Sequence, residues 1–281
     1  MAGTLFIVAT PIGNLADASP RALDTLRGVR LIACEDTRVT RGLLARHGIQ
    51  TPTVSLHGHN ERRASVKLLD ALRAGEDIAL VSDAGTPALS DPGAHLVGEA
   101  HRAGIRVSPI PGPSAAAAAF SASGFAGGGF VFAGFLPASG AERRKALEAL
   151  DSPLPVVLYE APHRMVKTLE DLLARLGGER EIVVARELTK KFEEVARLPL
   201  GEARAWLEAR AERLQGEFAL VIAPSAERQK GAVLDPDQVL DALLGALPPS
   251  EAARLAARLC GVPKKVLYQK ALERKAPAKG K

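Results

Sequence analysis

The sequence predicts an α/β protein: two α/β domains (1–116 and 117–226) followed by a small all-helical module (227–281). Three observations carry that prediction. Short apolar runs alternate with stretches of helical period from residue 4 to residue 110. The alternation resumes after a Gly-rich break at residues 127–129, and beyond residue 226 the pattern is helical only. Strands separated by helices return to the same edge of a sheet, which makes that sheet mainly parallel.

Taken in order, residues 4–9 read as a buried strand. A helix follows from Ser19, a natural N-cap, with Pro20 at the first helical position, where its missing N–H costs nothing. Strands at 29–33, 53–56, 78–82 and 107–110 alternate with helices at 38–47, 62–74 and 93–103. An Ala-rich helix at 114–123 is closed by Gly124. The second series has strands at 130–134, 156–159, 182–186 and 218–223, with helices at 141–150, 165–176 and 201–213.

The composition, 47% hydrophobic and 25% charged over 281 residues, is that of a globular chain. Two cysteines, Cys34 and Cys260, exclude a disulfide framework and predict a reduced, cytoplasmic location. No His/Cys spacing suits zinc, so no metal is expected. The N-terminus lacks a basic region before its short apolar run, and no segment approaches membrane-spanning length. The net charge of +5 resides at one end: residues 227–281 hold 11 Lys+Arg against 6 Asp+Glu, while residues 1–226 hold 26 of each. A basic tail on a neutral body suits a polyanion such as RNA.

The tail reads as three helices: 235–245, a second capped by Ser250 and running to Cys260, and a third from Pro263. Ala257, Gly261 and Leu267 have the spacing of a helix-turn-helix. Lys264, Lys265, Lys270, Arg274 and Lys275 place positive charge on or just after its third helix, suited to phosphate. A helical cap or a dimer contact is the alternative.

Three loops at strand carboxyl ends are rich in turn residues: Thr10-Pro-Ile-Gly-Asn-Leu15, Ser82-Asp-Ala-Gly-Thr-Pro-Ala-Leu-Ser-Asp-Pro-Gly93 and Ile110-Pro-Gly-Pro-Ser-Ala115. Ligands of open α/β sheets bind at that edge. The helix opening at Ser114 directs N–H groups outward, suited to a carboxylate. Neither G-x-G-x-x-G after the first strand nor a P-loop occurs, which argues against dinucleotide enzymes and NTPases.

These loops, with Cys34-Glu-Asp-Thr-Arg38, Leu56-His-Gly-His-Asn-Glu61, Phe132-Ala-Gly-Phe-Leu-Pro137, Tyr159-Glu-Ala-Pro-His-Arg164 and Ala185-Arg-Glu-Leu-Thr-Lys190, make the chain resemble the tetrapyrrole methylase-like methyltransferases. Within them it is most similar to the branch that methylates a cytidine 2′-oxygen in 16S rRNA. Its first loop keeps only Gly13 where porphyrin enzymes carry G-x-G-P-G, a departure that argues against a porphyrin substrate. The resemblance implies S-adenosylmethionine as cofactor, a homodimer, and 16S rRNA or the 30S subunit as partner. Cofactor contacts would fall on Pro11, Asp83, Ala84, Gly85, Thr86, Ser114, Ala115, Tyr159, Glu160, Arg186, Glu187, Phe218 and Ala219.

A 2′-hydroxyl needs help to lose its proton. Among Glu35, Asp36, Glu160 and the 186–190 segment, Asp36 is the favoured base and Lys190 the second candidate; Asp36 as a helix cap is the competing reading. Arg38, His57, Asn60, His163 and Arg164, with Lys264, Lys265 and Lys270, are the candidate RNA contacts. The alternatives are methylation of a tetrapyrrole or a protein residue, or an RNA-binding protein without catalysis.

Overall fold

A computed structural model of the chain describes residues 2–126, 128–225 and 235–275. They divide into two compact units, Met1–Pro224 and Ser225–Lys281.

The larger unit contains two sheets. The first is built from β1 (Thr4–Val8), β2 (Leu31–Cys34), β3 (Thr53–Ser55), β4 (Ile78–Leu80) and β5 (Arg106–Ile110). Its order is β3-β2-β4-β1-β5 and every pair is parallel. Alternate side chains point to opposite faces, and both faces are covered. Ile32, Cys34 and Ala79 pack against α1 (Pro20–Gly28) and α2 (Thr37–Arg46). Ala33, Ile78 and Leu80 pack against α3 (Glu61–Arg73) and α4 (Ala94–Arg102). The helix starts follow local chemistry: Ser19 Oγ accepts from Ala22 N at 3.1 Å with Pro20 next in line, as expected.

The second sheet comprises β6 (Val131–Phe135), β7 (Val156–Glu160), β8 (Glu181–Arg186), β9 (Glu194–Pro199) and β10 (Phe218–Ile222), ordered β6-β7-β10-β8-β9. Only β6 and β7 run parallel. The other three pairs are antiparallel. Helix α5 (Ala115–Ser123) covers one face through Ala116 and Ala119. On the other face α6 (Gly140–Ala149), α7 (Pro162–Leu176) and α8 (Leu200–Glu208) close a core holding Leu158, Met165, Leu169, Leu172 and Leu220. Each of these side chains is fully buried, a contribution of roughly 1.5–3 kcal/mol apiece.

Strand β9 corrects the sequence reading, which left 194–199 outside any element. It is an edge strand whose Glu194 and Arg197 pair with Arg213 and Glu181, so its polar residues hide the alternation. The helix expected over 201–213 ends at Glu208 and gives way to a 3₁₀ turn at Ala211–Leu214.

The smaller unit is three helices: α9 (Pro236–Leu244), α10 (Pro249–Cys260) and α11 (Lys264–Lys275). Leu240, Ala252, Ala253, Ala256, Leu267 and Ala271 form its core, as helix-turn-helix packing expects. Ser250 is not a cap: Pro248 holds that position and the helix starts at Pro249, two residues earlier than expected.

Candidate active site

The three turn-rich loops follow β1, β4 and β5, adjacent strands of the first sheet, and are bonded to one another. Thr10 and Gly85 exchange backbone hydrogen bonds, Thr10 N–H to Gly85 O at 2.9 Å and the reverse at 3.0 Å. Thr10 Oγ1 donates to Ser82 O at 3.1 Å, and Thr86 Oγ1 donates to Pro113 O at 3.1 Å. Gly85 has φ +83°, and a Cβ there would lie 3.2 Å from Ile12 Cγ2. Only glycine lets the loops meet this closely.

A cleft of about 470 Å³ opens against these loops, a volume typical of small-molecule sites. Ile12, Asp83–Thr86, Leu89–Asp91 and Ala115 form its near wall, and Phe135, Tyr159, Ala185, Leu188, Phe218 and Ala219 its far wall. Two contacts fix the walls relative to each other. Tyr159 Oη accepts from Ala116 N at 2.9 Å. A Cβ on Gly13 would lie 2.5 Å from Lys190 Cγ, so the first loop admits the Lys190 stem only because residue 13 is glycine.

Both flanking loops hold non-glycine residues in the left-handed region: Ala88 and Ser90 at φ 64° and 67°, Glu187 and Thr189 at φ 50° and 65°. Such backbone is strained and clusters at ligand sites.

The cleft is acidic. Burial, then the Glu35 carboxylate, then Asp83 push the Asp91 carboxyl up to about 6. Burial and Asp83 also raise Glu35, and burial raises the Tyr159 phenol. Asp36 lies at the opposite extreme. Hydrogen bonds from the Arg38 guanidinium and backbone N–H hold it down at about 2.

Residues 4–204 match the family model of the tetrapyrrole (corrin/porphyrin) methylases, and residues 231–275 match that of the RsmI C-terminal HTH domain. The ribosomal RNA small subunit methyltransferase I of Pseudomonas aeruginosa is 49% identical over 97% of this chain and 98% of its own. That of Escherichia coli O157:H7 is 46% identical over 96% of this chain and 95% of its own. The chain belongs to the ribosomal RNA small subunit methyltransferase I family of tetrapyrrole methylases. Two solved structures share the fold. Uroporphyrin-III C-methyltransferase from Thermus thermophilus has a TM-score of 0.55 at 20% identity, covering 82% of this chain and 98% of its own. Cobalt precorrin-4 methyltransferase has 0.58 at 16%, covering 78% and 94%.

S-adenosylmethionine is the methyl donor of this methylase. The cleft suits it: apolar walls of Ile12, Leu89, Phe135 and Leu188 receive its non-polar parts, and the carboxylate of Asp83 favours a cationic sulfonium.

Of the cofactor residues expected, Asp83, Ala84, Gly85, Thr86, Ala115, Tyr159, Glu160, Phe218 and Ala219 line the methylase's cleft. Pro11, Ser114, Arg186 and Glu187 lie outside its lining. Ser114 caps α5 by accepting from Ala117 N. Arg186 is buried, its guanidinium donating to the carbonyls of Gln215, Phe192 and Glu212 at 2.7, 3.1 and 2.5 Å, so it ties the β8–β9 turn to the chain before β10. The cleft lining also includes Asp91, Phe135, Leu188 and Glu217, which were not expected. Asp91 and Phe135 belong to motifs the sequence displays, Ser90-Asp-Pro-Gly93 and Phe132–Pro137.

Several side chains chosen for chemistry are engaged elsewhere, for one reason: an internal partner already satisfies them. Asp36 caps α2 and pairs with Arg38. Asn60 Oδ1 accepts from His57 N and its Nδ2 donates to Ser55 O, which holds the loop after β3. Arg164 donates to Glu160 at 3.0 Å and to the Leu136 carbonyl. Lys270 pairs with Asp237 at 2.8 Å. His163 is exposed, as are Lys264 and Lys265.

Burial alone would lower the Lys190 pKa, but hydrogen bonds to Glu187 at 2.8 Å and Glu217 at 3.0 Å outweigh it and raise the pKa. Lys190 is therefore held as an ammonium, the wrong form for a base. Lys190→Arg is expected to keep the wild-type pH–rate profile and at least about a third of the rate, whereas a general base replaced by an always-charged group loses 10²-fold or more. A steady-state pH series on the two enzymes decides this.

Proposed function

We propose that this methyltransferase transfers a methyl group from S-adenosylmethionine to the ribose 2′-oxygen of a cytidine in 16S rRNA, in the cytoplasm and as a homodimer. The observation that carries the reading is the match to small-subunit rRNA methyltransferases along nearly the whole chain, helical module included. The tetrapyrrole enzymes of the same fold match over almost their full length while leaving part of this chain unmatched.

The bound donor supplies an electrophilic methyl on a cationic sulfur. The chain's task is to align a hydroxyl with it, exclude water and receive a proton. Asp83–Thr86, Ala115, Tyr159 and Ala219 hold the donor, largely through backbone groups made accessible by Gly85. Pro11, Ser114, Arg186 and Glu187 support those contacts from behind. Arg38 in the first turn of α2, His57 on the loop after β3 and His163 at the start of α7 face the RNA beside the cleft.

Lys264 and Lys265 at the start of α11 are exposed and have no ion-pair partner among the described residues, which suits phosphate contact. Replacing both with alanine is expected to weaken rRNA binding and to lower the slope of log K against log salt by about 1.5. Lys270→Ala, which removes an internal ion pair, should leave that slope unchanged. Filter binding over a salt series measures both.

The direct test is transfer of labelled methyl from S-adenosylmethionine to 30S subunits and to naked 16S rRNA, followed by nuclease digestion and mass spectrometry. Label on a cytidine ribose is the expected result. Donor binding without label on either RNA would overturn the reading.

A further inference from the structure

The carboxylates in and around the cleft differ sharply in what already holds them. Asp36 caps α2 and is bound by Arg38. Glu160 has a fully buried side chain that accepts from Thr168 Oγ1 at 2.6 Å, from Ala161 N at 2.9 Å and from Arg164. Glu187 and Glu217 share the Lys190 ammonium. Asp83 accepts from Asp36 N at 2.9 Å.

Asp91 is the exception. It lines the cleft, yet its neighbours are the Ser82 hydroxyl, the Tyr159 phenol and the carboxylates of Glu35 and Asp83, and among the described residues no cation pairs with it.

The backbone around it is built to present that carboxylate. Ala88 and Ser90 just before it adopt left-handed φ, and Ser90 Oγ packs where a Cβ on Gly134 of β6 would stand, 2.9 Å away. On the other side Glu61 Oε1 accepts from Gly93 N at 2.9 Å and His95 N at 3.0 Å. The segment is thus held by β6 on one side and by the first residue of α3 on the other, with Asp91 between them. Strain retained at a fixed position beside a ligand cleft is a mark of function.

We propose that Asp91 is the catalytic proton acceptor for the attacking hydroxyl; this rests on the reading of the substrate as a ribose. In the step, the hydroxyl O–H bond breaks and its proton goes to an Asp91 oxygen. The ribose oxygen forms a bond to the methyl carbon as that carbon leaves sulfur. The electron pair of the broken bond remains on sulfur as a neutral thioether, and the proton stays on Asp91 until solvent removes it. The raised affinity of this carboxyl for a proton suits the task, since a base works best with a pKa near the working pH.

The same affinity gives a test without catalysis. The folded protein binds the Asp91 proton more tightly than the unfolded chain does, so stability is lost as pH rises from about 4 to about 6. Asp91→Asn is therefore expected to raise the Tm of the donor-free protein by a few degrees at pH 8 and to leave it nearly unchanged at pH 4.

The experiment combines that Tm comparison with calorimetric S-adenosylmethionine binding and single-turnover methylation of 30S subunits from pH 5 to 9. The proteins compared are wild type, Asp91→Asn and Asp91→Glu. The wild-type rate should rise about tenfold per pH unit below about pH 6 and level off above. Asp91→Asn should lose about 10²- to 10³-fold in rate together with that acidic limb, bind the donor within about threefold of wild type, and be partly rescued by glutamate.

An Asp91→Asn rate within tenfold of wild type and with the same profile would overturn the proposal. So would donor affinity falling in step with rate, which would make Asp91 a donor contact. A wild-type enzyme that binds donor yet labels neither 30S subunits nor naked rRNA would instead overturn the substrate reading, and the base assignment with it.

Discussion

Gly85→Val is expected to weaken S-adenosylmethionine binding by at least about 100-fold, or roughly 2.7 kcal/mol. Two costs combine. A β-branched residue at φ +83° enters a region that L-residues avoid. Its Cβ also meets Ile12 Cγ2 at 3.2 Å and the Pro113 carbonyl at 3.7 Å, which belong to the other two loops. The strain is relieved by parting Gly85 from Thr10, and with that pairing goes the alignment of all three loops. Gly85→Ala carries the φ penalty with less crowding and should cost about tenfold. Calorimetric titration with S-adenosylmethionine measures both, and a valine variant binding within threefold of wild type would contradict the loop geometry as the basis of the site. Gly85 belongs to none of the hydrophobic clusters that pack the two sheets, so circular dichroism should show a folded protein throughout.

Glu160→Ala should lower the stability of the larger unit by about 3–5 kcal/mol, the usual cost of removing one partner of a buried charge pair. Its carboxylate serves three groups at once: Thr168 Oγ1, Ala161 N and the Arg164 guanidinium. After the substitution the Ala161 N–H just before α7 loses its acceptor, and among the described residues Arg164 is left with the carbonyls of Leu136 and Pro137. Glu160→Gln keeps the size and one acceptor and should cost less than half as much. Thermal unfolding is the measurement: the alanine variant should melt roughly 10 °C lower for a unit of this size. A drop of less than about 3 °C would mean that the network contributes little. Because Glu160 also forms part of the cleft wall, donor binding should be measured well below the new Tm, where the folded fraction retains the site.

Much of the site was legible in the sequence because its chemistry is local. Thr10–Leu15, Ser82–Gly93 and Ile110–Ala115 announce themselves by Gly and Pro at strand ends, and Ser114 and Ser19 by standing before helical runs. Side chains that act across the fold were harder to read. Arg164, Arg186 and Lys270 carry the same guanidinium or ammonium whether they face RNA or a neighbouring carbonyl. Only the packed structure shows that Glu160, Gln215 and Asp237 occupy them. Asp91 is the complementary case: nothing in Ser90-Asp-Pro-Gly93 reveals that no cation among the described residues pairs with it.

The sequence by itself determined the α/β class, the helix starts at Ser19 and Ser114, the helical C-terminal end and the family, since each rests on hydrophobic period, turn residues or motifs read along the chain. The tertiary structure decided that β4, β1 and β5 are neighbours, that the second sheet is mostly antiparallel with β9 at its edge, and that Lys190 reaches across to Gly13. It also decided which ionisable groups remain unpaired in the cleft. Those outcomes depend on contacts between residues far apart in the chain, where burial and the distance to an opposite charge, rather than residue type, decide whether a group is held or left available to react.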